Sequence, residues 1–468
     1  MKFQLLGITM MFANTSIGAA VLQLPFRFAV LGLPLALFYF FMTTGISVYF
    51  FYQIARITHK YQAKTVFEII MKTAGKGTAI LLDISIIGML FAIITVYIIV
   101  GGDYVKTIWD LINPIDKCVE PGAFEQGACD KYKVCIKKSS QIDVYTRLMV
   151  GGLFILESLI GDLRILNIIS SSVVFVAVFT VIAIVIRSFQ GLISGTIPNI
   201  PNYTPPVPRI NTKPSLVAAL TSIPSFFQLY GIQMSITPIY NELAENKYEM
   251  VKKASLYSTI IAAVIYIIFA IFGVVIFYGD NQSQNFHQDN ILLIFSPQDK
   301  LITVVRIAYS VVILVSFPAI LYALRATIMG QFKLNRKDGV KGRLTFYLSG
   351  IIIVIFSTIV GVYIPQIFII LDLFGAVFGI IFFMLVPLLM LIYEDSNDNP
   401  DIIAVNFAAA DIQPNREFVE ESEHEQCKKR IKRINILYWI IFCIFVVIGL
   451  IGLGFTLKDI FTKKTQIC

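Results

Sequence analysis

The sequence predicts an all-α integral membrane protein of about eleven transmembrane helices. Three observations carry that prediction. The 468 residues are 57% hydrophobic and only 15% charged, with a mean hydropathy of +0.77. That is far more apolar surface than one water-soluble core encloses. Apolar stretches of about twenty residues, each long enough to cross a hydrocarbon layer of roughly 30 Å as a helix, recur along the whole chain. The Lys and Arg residues behind the net charge of +8 lie in the short connections between those stretches, which marks topology rather than nucleic-acid binding.

Taken in order, the expected spans are residues 5–26, 29–54, 79–100, 148–160, 165–189, 215–240, 255–278, 302–328, 344–363, 367–392 and 436–457. The first runs too far to be a cleavable signal peptide and continues into the second. The fourth is short. Arg56, Lys60, Lys64, Lys72 and Lys76 fall on one side of the membrane, together with Lys247, Lys252, Lys253, Lys333, Arg336 and the run Lys428 to Arg433. By the positive-inside rule that side is the cytosol, which puts the amino terminus inside.

This topology divides the chain into a transport-type core at 1–394, an extracytoplasmic loop at 101–146 and a charged, partly disordered cytosolic linker at 395–435. The eleventh span and an extracytoplasmic tail follow at 436–468. The loop carries Cys118, Cys129 and Cys135 on the oxidising side, where one disulfide can form. Three cysteines leave one over, with Cys468 on the same side; Cys427 and Cys443 read as free thiols. Sequons at Asn202 and Asn281 also fall outside and are candidate glycosylation sites.

Two spans carry features that a plain lipid-crossing helix does not need. The first holds Asn14-Thr15-Ser16-Ile17-Gly18-Ala19-Ala20 near its centre and Pro25 near its end. The sixth holds Pro224, Gln228, Tyr230, Gly231, Gln233, Ser235 and Pro238. Small, polar and proline residues let a membrane helix unwind where it faces a cavity. If spans one to five and six to ten are inverted repeats, these are equivalent positions, the pattern that marks a central substrate site in secondary transporters. Taken singly, the same residues serve close helix packing and interhelical hydrogen bonds. An amino-acid zwitterion suits two broken helices, whose amino ends attract a carboxylate while freed carbonyls attract a cation.

The motifs themselves resemble a family. The stretch from Ile223-Pro224 to the PIYNEL run ending at Leu243 is similar to the sixth span of the sodium-coupled neutral amino acid transporters, within the amino acid/auxin permease family. NTSIGAAVLQLPF resembles that family's first span, and Ser316, Pro318 and Arg325 stand at its eighth-span spacing of hydroxyl, proline and arginine. The resemblance implies a five-plus-five inverted-repeat fold of the leucine-transporter type plus one extra helix. It also implies a sodium site to which Asn14 and Ser316 contribute. The competing reading for Asn14 is an interhelical hydrogen bond, and for Ser316 a bond to its own helix. Two positions depart from the family: serine stands at 316 where threonine is usual, and Gln233 falls near a usual histidine.

The expectation is therefore a secondary transporter of small neutral amino acids. It would be driven by sodium or by protons, with Ser16 to Ala20, Tyr230, Gly231 and Gln233 facing the substrate. Asp372 and Glu157, ionisable groups inside spans, are candidates for a proton relay. No phosphate-binding glycine loop or zinc motif is present, and His59, His287 and His424 all sit in connections, so neither an enzyme nor a cofactor beyond the coupling ion is expected. The expected partners are the amino acid and the bilayer of a plasma, vacuolar or lysosomal membrane, with the protein a monomer. The rivals are a proton-coupled exporter from an organelle and an amino-acid-sensing receptor that signals through the linker.

Overall fold

The computed structural model describes residues 2–62, 66–73, 76–113, 126–159, 164–197, 216–231, 233–243, 247–279, 290–331, 339–379 and 381–385. It also describes helical positions 440, 443, 446, 447, 450, 451 and 454. For 126–140 and 164–172 the backbone alone is described. Every regular element among these residues is helical.

The first expected span is two helices, α1 (Lys2–Ser16) and α2 (Leu24–Leu31), joined by a 3-10 turn at Ala19–Gln23. The pair is bent by 57°. Gly32, at φ +75°, turns the chain directly into α3 (Leu33–Tyr61), a left-handed corner that glycine makes without a Cβ clash. A short α4 (Val66–Thr73) leads to α5 (Lys76–Ile112), and α6 (Gln126–Glu157) and α7 (Arg164–Ser194) follow. The sixth expected span is broken into α8 (Leu216–Phe227) and α9 (Gln233–Glu242). Then come α10 (Lys247–Gly279), a 3-10 turn at Ile291–Leu293, α11 (Lys300–Gln331), α12 (Gly339–Tyr363) and α13 (Ile367–Phe374). Beyond α13 the chain winds as π-helix at Gly375–Gly379 and again at Ile381–Leu385.

Among the described residues, α3, α5, α7, α10, α11 and α12 are each long and apolar enough to cross a membrane, and the bent pair α1 and α2 makes another such span. The remaining expected spans are α6, the α8 and α9 pair, the α13 segment and the helical positions from Ile440 to Gly454. Two helices organise the packing. α5 lies against α4, α6, α11, α12 and α13, and α10 lies against α1, α2, α3, α7 and α9.

The segment 101–146 differs from the expected loop. It is helical through Ile112 and again from Gln126, and the fourth span is the end of a 32-residue helix. The charges that end the apolar pattern there are paired between the two helices: Arg147 donates to Asp103 at 2.9 Å and Lys106 lies 2.6 Å from Asp143. Gly101 and Gly102 let the helices close, since a Cβ on Gly102 would come within 2.5 Å of the Arg147 side chain. Side-chain pairing, not apolarity, carries these helices past the predicted boundary. Cys118 lies outside the described residues, and Cys129 and Cys135 fall where only the backbone is described. Asn202 and Asn281 lie outside them as well.

Candidate substrate site at the two helix breaks

Local chemistry explains both breaks. In the first span the helical ladder makes its last regular link from Ile17 N to Ala13 O, after which Gly18 N turns back to Ser16 O at 3.0 Å. Gly18 is extended, at φ −118° and ψ −167°, before the 3-10 turn begins. Gly18 weakens the helix there, since glycine costs about 1 kcal/mol relative to alanine in a helix interior. In the sixth span α8 ends at Phe227, Leu229 N and Tyr230 N reach back only to Phe226 O and Phe227 O, and the helix restarts at Gln233.

The breaks touch. A Cβ added to Gly231 would lie 3.3 Å from Thr15 O. Tyr266, buried on α10, ties them together: its hydroxyl lies 2.6 Å from Ser16 O and 3.1 Å from Leu229 O, one freed carbonyl from each break. A hydroxyl has a single proton, so it donates fully to one carbonyl at a time. Tyr230 stands beside it, ring centroids 5.9 Å apart, with its hydroxyl bonded to Thr44 Oγ1 of α3 at 2.7 Å.

Polar atoms near the breaks are left over. Among the described residues Ser16 Oγ, Gln233 Oε1 and Gln228 Oε1 are buried without a hydrogen-bond partner, whereas Gln228 Nε2 donates to Leu371 O at 2.7 Å. Buried acceptors and hydroxyls without partners are costly and point to a ligand or water that satisfies them. Ser16, Ile17, Tyr230 and Gln233 are buried, and Gly18 and Gly231 are half-buried. Ala19 and Ala20 open the 3-10 turn, and their side chains are outside the described set.

Above the breaks sits a buried charge cluster. Arg27 of α2 donates to Asp372 of α13 at 2.5 Å, and Ser225 of α8 donates to the same oxygen at 2.5 Å. Phe26 and Phe368 face the Arg27 guanidinium at 5.9 and 5.7 Å. Asp372 is thus an ion-paired carboxylate that joins the far halves of both broken spans to α13. Hydropathy alone misses the arginine, because the expected span 5–26 ends one residue short of it. A signal for it exists in the sequence: Arg27 interrupts the apolar run VLQLPFRFAVLGLPL, where a lone charge needs a buried partner.

The other predicted residues are placed separately. Asn14 is half-buried on α1. Ser316 is half-buried on α11, and its hydroxyl bonds the Tyr97 hydroxyl of α5. Among the described residues no hydrogen bond joins Asn14 to Ser316. Glu157 ends α6 half-buried, with Oε2 lacking a partner among the described residues. It lies on a different element from the breaks.

Comparison with known proteins decides the family. Residues 4–399 match the family described as transmembrane amino acid transporter protein. The chain belongs to that family. Amino acid transporter AVT6E of Arabidopsis thaliana is 27% identical over 327 residues, covering 69% of this chain and 62% of that protein. The chain therefore matches less than two thirds of the length of this relative. Among solved structures, the crystal structure of MhsT in complex with L-phenylalanine superposes with a TM-score of 0.54 at 14% identity, covering 95% of this chain and 98% of that one. Likeness at that identity speaks to the fold alone: a helical membrane-transporter architecture, as the sequence predicted. Members of the transmembrane amino acid transporter family are transporters rather than enzymes, in agreement with the missing catalytic motifs.

Proposed function

We propose that the protein is a secondary active transporter of small neutral amino acids, coupled to a cation and working by alternating access. One observation carries this reading. Two broken helices meet through Tyr266 and leave Ser16 Oγ and Gln233 Oε1 buried beside them without partners among the described residues. Those atoms suit the ammonium group of a zwitterion. The restarting helices, at Ala19 and Gln233, present unpaired N–H groups and the positive end of a helix dipole to its carboxylate. Residues 14–23 and 228–236 include no charged side chain, which suits a neutral one.

Sodium is the favoured coupling ion, with Asn14, Ser316 and first-span carbonyls offering the hard oxygen ligands a monovalent cation takes. Bonded to Tyr97, the Ser316 hydroxyl still keeps a lone pair for that role. A second reading rests on Glu157, whose unpartnered buried oxygen suits a proton carrier and hence proton coupling. Uptake of labelled amino acids by the reconstituted protein, under a sodium gradient and then a proton gradient, separates the two. Sodium-driven uptake whose half-saturating sodium concentration rises about tenfold in Asn14→Ala, the loss of roughly one charge-assisted contact, supports the first. Uptake that follows pH and ignores sodium selects the second, and binding without flux in either gradient overturns transport altogether.

A further inference from the structure

A cluster at one end of the molecule takes no part in the substrate site. It is built where α3 ends and α10 begins, on the side that the Lys and Arg placement assigns to the cytosol. Lys252 Nζ stands 5.0 Å from the centre of the Tyr52 ring and 5.8 Å from that of Tyr248. The two tyrosines are hydrogen-bonded to each other, and Arg56 lies within electrostatic reach of Tyr248. Tyr248 stacks on His59 at 5.4 Å, and His59 Nδ1 bonds the Tyr240 hydroxyl at 2.6 Å. Lys247 covers the other side of Tyr240 at 5.6 Å.

Positive charge is in excess in this cluster. The first turns of α10 carry Lys247, Lys252 and Lys253 against one carboxylate on that helix, Glu249, which lies 4.0 Å from Lys253. Among the described residues Lys247 and Lys252 have ring contacts and no ion pair. A ring face attracts a cation without cancelling its charge. Half-buried lysines held this way keep a fixed position and an unspent demand for an anion.

The surroundings say which anion. On α3 the exposed positions Phe38, Phe41, Gly45 and Tyr49 form one helical row that runs into Tyr52 and Arg56. On α10 the exposed row Val264, Ile260 and Leu256 runs into Lys252 at intervals of four. α3 and α10 pack directly together. Two lipid-facing apolar rows therefore converge on one basic and aromatic pocket, the layout of a chain-and-headgroup molecule. We propose that this pocket binds an anionic phospholipid. Its phosphate lies by Lys252 and Lys247 beside the Tyr52 and Tyr248 hydroxyls, and an acyl chain lies along the α3 and α10 rows. Because Tyr240 belongs to α9, the bound lipid would also brace the inner half of the broken sixth span against α3.

The test is native mass spectrometry of the full chain released from bilayers of equal phosphatidylcholine and phosphatidylserine with matched acyl chains. The expected result is selective retention of phosphatidylserine, falling about fivefold in Lys252→Gln and again in Lys247→Gln, while Lys252→Arg retains it. Lys341→Gln, which removes an exposed cation from α12, leaves retention unchanged. Equal retention of the two lipids overturns the proposal. So does an equal loss in Lys341→Gln, which would show diffuse surface attraction instead of a site.

Discussion

At the level of single residues, the sharpest dependence falls on Tyr266. Its one proton serves carbonyls from two unwound segments, so Tyr266→Phe leaves both without that donor and should lower stability by about 1–3 kcal/mol. A thermal-unfolding midpoint unchanged from the wild type would sink the idea that this hydroxyl joins the breaks. Asp372 carries a second prediction. Asp372→Asn strands the buried Arg27 guanidinium and should cost about 3–5 kcal/mol, whereas the double variant Arg27→Met with Asp372→Leu regains much of it. The break after Ser16 was legible because small and polar residues at mid-span weaken a helix that only has to cross lipid. Tyr266 was not, since a tyrosine inside an apolar helix is ordinary and only the fold shows which carbonyls it meets.

Elements are governed by how closely their backbones approach. α10 carries Gly273 against α2, where a Cβ would fall 2.5 Å from Pro25 Cγ. Gly273→Val should push α2 away from α10 and cost about 1–3 kcal/mol. It should also slow uptake without removing any site group, checked by unfolding and by transport on the same preparation. Helix positions along the chain were readable from hydropathy because each apolar run is long and bounded by charge. The extensions of α5 and α6 were not, because the pairs Arg147 with Asp103 and Lys106 with Asp143 read as loop charge until the two helices are side by side. The break in the sixth span was foreseeable from Pro224, Gly231 and Pro238. The switch to π-helix after Phe374 gave no comparable sign among apolar residues.

For the whole molecule, the arrangement makes two central helices, α5 and α10, the frame on which the broken spans are hung. The proposed ion-driven uptake would be a property of that whole, and its expected form is saturable flux abolished by dissipating the sodium gradient, measured in sealed vesicles. The general architecture was legible from composition and the two unwound motifs; the pairing of α2 with α13 through Arg27 was not, since it joins residues 345 positions apart. That ion pair has an electrical consequence. Arg27 and Asp372 sum to zero charge, so parting and rejoining them together moves no net charge through the membrane field, where each unpaired charge would count for about 2.3 kcal/mol per 100 mV. For a substrate without net charge, any current during turnover would then report the coupling ion alone, and the charge moved per substrate taken up would count how many ions accompany it.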